Sequence, residues 1–228
     1  MGKDIVIRSS TSKRDFISSG KVTHVYGPPK SGKSTLSANI ALELVKLGFK
    51  VMIISTERPI EIRMHTMIEA TEIYTEELLR GILTSDIYSF DDLIEVITND
   101  LINYISEIDL IIIDSITASY RFKAGPINLT LLRKALSVLQ SIALKQKKAI
   151  LFTNQVSSVM DETNDFRPVA SASTRNYSDI TIRLTKRRDN STEISFEDDV
   201  GNELEVFEPF TITEAGIEEF SQLFQIET

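Results

Sequence analysis

Apolar residues along this chain follow two rhythms that alternate through its first two thirds. Short apolar runs at 21–26 (KVTHVY), 50–55 (KVMIIS), 109–114 (DLIIID) and 148–153 (KAILFT) have the length and β-branched content of buried strands. Between them the spacing is helical. Leu36, Ile40, Leu44 and Leu47 share one face of a helix over 33–47, which Gly48 can end in a left-handed turn. Residues 60–79 read as mostly helical, and Ser89 with Asp92 resembles a capping pair before the apolar stripe Leu93, Ile97, Leu101 and Ile105. Leu132, Leu136, Leu139 and Ile142 mark a further amphipathic helix. The alternation predicts an α/β fold: a mostly parallel, twisted sheet flanked by helices.

Beyond Gln155 the rhythm is lost. Residues 156–178 are polar and aperiodic, an unusually long loop for a compact domain, which points to a functional or mobile segment. Two alternating strands then follow, 179–188 and 191–199, joined by the turn-prone Asp189-Asn190, and FTITEAG (210–216) reads as the last strand of a C-terminal antiparallel extension. With no repeat or linker in view, residues 1–20 are a short N-terminal extension and 21–228 a single domain.

Charge changes the picture in one respect. The chain has 25 basic and 33 acidic residues, a net charge of -8, so any contact with nucleic acid must be local. Its lack of cysteine excludes disulfides and thiolate chemistry, and two isolated histidines, His24 and His65, read as structural and argue against a zinc site. No apolar run approaches a membrane span, and the first ten residues lack the core of a signal peptide, so a cytoplasmic protein without membrane contact is expected.

The chemistry lies where strands end. GPPKSGKST (27–35) fits G-x-x-x-x-G-K-[ST] between a predicted strand and a predicted helix. Gly27, Pro28, Pro29, Lys30, Ser31, Gly32, Lys33, Ser34 and Thr35 form this loop; the glycines let backbone amides turn inward around phosphate oxygens, and the prolines stiffen it. Lys33 bridges the outer phosphates of ATP and the Ser34 hydroxyl ligates Mg2+ on this reading; the bland alternative is a glycine turn before a helix. Asp114 ends its strand where a carboxylate can orient the same metal's hydration shell, although apolar strands often end in aspartate. Glu57 closes VMIISTE and can activate the attacking water, or be an exposed turn residue beside Pro59. Gln155 follows the fourth strand, where its amide can sense the terminal phosphate and pass that state to the loop after it; Asn154 holds the strand end in shape.

These motifs resemble the RecA/RadA recombinase family. YGPPKSGKST is similar to its first nucleotide motif, IISTE to the strand bearing its catalytic glutamate, IIIDSITASYR to its second motif and TNQV to the start of its second DNA-binding loop. The resemblance covers about Gly20 to Phe220 and is most similar to core-only archaeal RadA paralogues, including RadB-like proteins. It implies a RecA-like P-loop core that binds ATP and Mg2+, with Lys33, Glu57 and Gln155 as catalytic and switch groups and Ser34 and Asp114 at the metal. It also places Arg121 at the edge of the first DNA-binding loop, and Asp198 where an aspartate caps ATP on a neighbouring subunit. Full-length recombinases carry an N-terminal helical domain and a docking linker, and some twenty residues precede the core here. The second loop has RPVASAST in place of paired glycines.

The resemblance therefore implies a modulator of recombination and repair, with ATP hydrolysis slow or DNA-dependent, single-stranded DNA and a RadA-type recombinase as partners, and self-association short of long filaments. Arg121, Arg167 and Arg175, with Lys123 and the group Arg183, Lys186, Arg187 and Arg188, can supply a local basic rim; the bland alternative is solvated charge. Three other classes share such a core: a non-hydrolysing ATP-bound adaptor, a small-molecule P-loop kinase and a KaiC-like signalling ATPase. The chain shows no arginine-rich lid for the kinase.

Overall fold

The structure, a computed structural model, describes residues 4–11, 14–158, 166–207 and 209–227. Along the chain run β1 (Val6–Ser9), β2 (Asp15–Ser18), β3 (Val22–Tyr26), α1 (Lys33–Lys46), β4 (Val51–Ser55), α2 (Ile60–Glu69), β5 (Ile82–Asp86), α3 (Phe90–Glu95), β6 (Leu110–Asp114), α4 (Pro126–Gln146) and β7 (Ala149–Asn154). Then come β8 (Val156–Ser158), β9 (Phe166–Pro168), α5 (Ser171–Asn176), β10 (Ile180–Lys186), β11 (Thr192–Glu197), β12 (Glu203–Val206), β13 (Ile212–Thr213), β14 (Gly216–Ile217), α6 (Phe220–Leu223) and β15 (Phe224–Glu227).

An eight-stranded sheet in the order β12-β11-β10-β3-β7-β6-β4-β5 organises the molecule. Its strands from β10 to β5 are parallel, and β11 and β12 continue it antiparallel. Alternate residues of the apolar strands feed opposite cores, as the two-residue period of a strand requires. Ile53, Ile112 and Leu151 pack with Leu36, Ile40 and Leu44 of α1 on one face. Ile54, Ile113 and Phe152 pack with Leu132, Leu136 and Leu139 of α4 on the other. Gly48 has φ +81° and ends α1 as expected, and Ser89 Oγ accepts from Asp92 N at 3.2 Å to cap α3. Helical turns continue from α3 to Asn103, so Leu93, Ile97, Leu101 and Ile105 all reach the core. α4 alone among the described helices has the length and apolar composition to cross a membrane, an exception to the sequence reading; it lies on the sheet, burying one stripe of leucines.

Four expectations need correction. β5 is a parallel edge strand with no counterpart in the sequence reading, because ILTSD has only two apolar residues and one of them, Leu83, faces solvent. The stretch 156–178 is not one open loop: β8 pairs with β9 and α5 follows, while residues 159–165 lie outside the described residues. FTITEAG forms a two-strand hairpin, β13 with β14, rather than a single strand. The final strand is β15, which pairs with β1, so Val6–Ser9 and Asp15–Ser18 belong to a three-stranded sheet, β15-β1-β2, tied to β15 near the chain's other end.

Candidate functional site

β3 delivers the chain into the loop 27–32, and α1 begins at Lys33. Gly27 runs so close beneath β10 that a Cβ there would sit 2.5 Å from the carbonyl oxygen of Leu184 and 2.7 Å from Ser31 Oγ. Gly32 has φ +100°, a conformation that costs glycine little, and caps α1. Ser31 is buried and its carbonyl accepts from Thr192 Oγ1 at 3.2 Å, which fastens the loop to β11. Pro29, Lys30 and Ser34 are exposed and Pro28 is half-buried. Thr35 is buried, its hydroxyl accepting from Arg63 Nε at 3.1 Å.

Lys33 Nζ donates to the carbonyls of Gly27 at 2.8 Å and Pro28 at 2.9 Å, which holds the ammonium across the loop it follows. Burial pulls its pKa below the ordinary lysine value, against the opposing pull of Asp114 and Glu57. Asp114 behaves in the mirror sense. Burial lifts its carboxyl above the usual range, partly offset by hydrogen bonds from Ser34 and Thr153 and by the charge of Lys33. A buried carboxylate beside a lysine and an exposed serine hydroxyl is a donor set of the hard oxygen type that Mg2+ takes, so Ser34 and Asp114 fit the metal expected of them.

The next two strand ends are stitched together by side chains. Thr56 Oγ1 donates to the Ser115 carbonyl at 2.6 Å and accepts from Ser115 N at 2.9 Å, and Ser115 Oγ donates to Glu57 Oε1 at 3.3 Å. Gln155 Nε2 donates to the same Glu57 oxygen. The other end of the Gln155 amide, Oε1, accepts from Arg121 Nη1 at 2.6 Å. Behind this junction Asn154 is fully buried, accepting from Thr117 Oγ1 at 2.5 Å and donating to the Val169 carbonyl at 3.0 Å, and it lies 3.2 Å from His24 Nε2. It braces the strand end. His24 is structural, as expected, packed between Tyr26 and Phe152.

Lys33, Ser34, Glu57, Asp114 and Gln155 thus line one cleft of about 480 Å³ at the carboxyl ends of the parallel strands, where open α/β sheets bind ligands. Arg58 and Ser115 line it too. Neither was singled out from sequence, although each directly follows a residue that was: Arg58 follows Glu57 and Ser115 follows Asp114.

Comparison with known proteins matches the sequence of the chain to a family. The sequence profile of the Rad51 family fits residues 12–220. The chain belongs to the Rad51 family. Individual relatives carry the description "DNA repair and recombination protein RadB". One from Halobacterium salinarum is 27% identical over 205 residues, 87% of this chain and 86% of its own. Another, from Methanosphaera stadtmanae, is 31% identical over 178 residues, 76% of each chain. A third, from Methanobrevibacter smithii, is 29% identical over 154 residues, 65% of this chain and 64% of its own. The resemblance to archaeal RadA paralogues and the RecA-like fold stand with these matches.

Two candidate residues have structural roles in this Rad51-family chain. Arg175 was expected on a DNA-facing rim, yet it is 7% exposed and turned inward, with Nη2 2.6 Å from Glu197 Oε2 and 3.3 Å from the Tyr26 hydroxyl. A phosphate would have to break a buried ion pair to reach it. Asp198 closes the turn between β11 and β12, its Oδ1 accepting from the amides of Val200, Gly201 and Asn202. Of the remaining basic groups, Arg187 pairs with Glu193, Lys123 with Asp91, and Arg183 stacks its guanidinium 4.2 Å from the Phe166 ring centroid. Arg167 is exposed on β9, and Arg121 stands at the cleft.

Proposed function

We propose that this Rad51-family chain binds ATP with Mg2+ in the cleft at the strand ends, hydrolyses it slowly, and acts in DNA recombination and repair through single-stranded DNA or a partner recombinase. The observation that carries the reading is the convergence of Lys33, Glu57, Asp114 and Gln155, from four separate strand ends, on one cavity. The backbone amides of loop 27–32 and the N-terminus of α1 cradle phosphates, with Lys33 moving from loop carbonyls to phosphate oxygens. Ser34 and Asp114 hold the metal, which neutralises charge on the outer phosphates. Glu57 accepts a proton from the attacking water once Gln155 leaves its carboxylate for the terminal phosphate. Because Val169 N donates to the Gln155 carbonyl at 2.9 Å, that exchange is felt directly by the segment after β9.

The relatives are described as DNA repair and recombination proteins, which supports the cellular role. The test is ATP turnover by the wild type and Lys33→Ala, with and without single-stranded DNA, across a salt series. Turnover that Lys33→Ala abolishes, and that DNA stimulates less as salt rises, is the expected result. Tight ATP binding with no turnover in any condition would replace this reading with the non-hydrolysing adaptor.

A further inference from the structure

Ser115 Oγ donates to Oε1 of Glu57 at 3.3 Å, and no other hydroxyl among the described residues donates to that carboxylate. The Gln155 amide shares the same oxygen. Once that amide leaves for a phosphate, the serine proton is the one still held on Glu57. A hydroxyl hydrogen-bonded to a carboxylate is the pairing that activates a weak oxygen nucleophile.

The position of Ser115 limits what can reach it. It directly follows Asp114 and lines the cleft with Lys33, Ser34 and Glu57, yet the residue is 1% exposed. One side chain fixes its main chain on both sides: Thr56 Oγ1 accepts from Ser115 N at 2.9 Å and donates to the Ser115 carbonyl at 2.6 Å. With the backbone pinned, only rotation about χ1 is left to aim the hydroxyl. A hydroxyl so buried is screened from a separate kinase, and the cleft is its open side.

We propose that Ser115 is a phosphoryl acceptor, and that the chain transfers the terminal phosphate of its own bound nucleoside triphosphate to that hydroxyl. In this step Ser115 Oγ bonds to the terminal phosphorus as the bond from that phosphorus to the bridging oxygen breaks. Glu57 takes the hydroxyl proton, and the nucleoside diphosphate leaves with the bridging oxygen and its electron pair. Lys33 neutralises the charge that develops there. Water and Ser115 compete for one base, and phosphate that goes to the serine stays on the chain. Beside Asp114 and Glu57, a phosphoserine adds a charge of about -1.5 to -2, which repels the next triphosphate. The modification is thus self-limiting. The proposal rests on the nucleotide reading of the cleft and extends it by naming where the phosphate goes.

The test incubates the full chain with Mg2+ and ATP labelled at the γ- or the α-phosphate. Label is expected from the γ-position alone, stable to acid and released by alkali as a phosphoserine is, at a rate independent of protein concentration. Fragment masses should place it on Ser115. Ser115→Ala should take up none, and Glu57→Gln should label about 100-fold more slowly, with circular dichroism verifying that both fold. The phosphorylated chain, separated from the unmodified one, should bind Mg2+-ATP at least about tenfold more weakly by calorimetry. Saturable ATP binding by the wild type without label, label on another residue, or label that survives Ser115→Ala overturns the proposal and leaves the nucleotide site standing. Equal affinity in the phosphorylated chain overturns the self-limitation. No ATP binding overturns both the proposal and the nucleotide site. Should Ser115→Ala fail to fold, the position of the label in the wild type decides.

Discussion

Gln155 Nε2, just past the end of β7, donates to Oε1 of Glu57, which lies just past the end of β4 and 98 residues earlier in the chain. Each strand end has two neighbours in the sheet, yet these two are not adjacent: β6 runs between β7 and β4. The bond therefore spans the mouth of β6, above Asp114 and Ser115. It sets the carboxylate proposed to take a proton and the amide proposed to read phosphate against each other across the site.

Removing that carboxylate's charge separates chemistry from binding. Glu57→Gln keeps the Lys33 loop intact and should bind ATP within a few-fold of wild type while turnover falls about 100-fold or more. Parallel measurement of equilibrium binding and steady-state phosphate release checks this; unchanged turnover removes Glu57 from the chemistry.

The buried Arg175–Glu197 pair carries structural weight. Glu197 also accepts from the Tyr26 hydroxyl, with the oxygens 2.7 and 2.8 Å from it, so β3, α5 and β11 meet at one carboxylate. Glu197→Gln leaves a guanidinium buried without its counter-charge and should cost about 3–5 kcal/mol in urea unfolding. The double variant Arg175→Met, Glu197→Met should lose less than Glu197→Gln alone, since it removes both charges together. A double variant as unstable as the single one would contradict the ion-pair account.

Acid should destabilise the fold through His24. Burial, aided by the positive charge of Arg175, pulls its pKa down to about 3 from an ordinary value of 6.5. Between those values the unfolded chain binds a proton that the folded chain refuses. Stability is therefore full above pH 6.5 and falls as pH drops toward 3, approaching about 1.4 kcal/mol per pH unit from this group. In His24→Phe that slope should lessen across pH 6 to 4, whatever the variant's overall stability. Urea midpoints measured over this range supply the comparison, and equal slopes would show that another group dominates.

Much of this arrangement was readable in the residues because it depends on local pattern. GPPKSGKST sits between a strand and a helix as its glycines demand, and LIIID and KAILFT are apolar on both faces because helices cover both. What escaped the sequence depends on distant partners. β15 pairs with β1 through Val6 and Glu227, a contact that no periodicity encodes. β5 is held by hydrogen bonds to β4 and needs little apolar character of its own. Arg175 resembles a surface arginine until Glu197 and Tyr26, both remote in the chain, close around it. At the site, strand-end position selected Glu57, Asp114 and Gln155, but the bridge from Gln155 to Arg121 required the folded geometry of the segment after β6.

The central claim is that the cleft joining Lys33 to Gln155 is a nucleotide site. Equilibrium titration of Mg2+-ATP into the wild type and Lys33→Ala, followed by calorimetry, addresses it without depending on turnover. Saturable binding by the wild type and at least about 100-fold weaker binding by the variant, about 2.7 kcal/mol, is the expected result. No binding by the wild type, or equal affinity in Lys33→Ala, would contradict it.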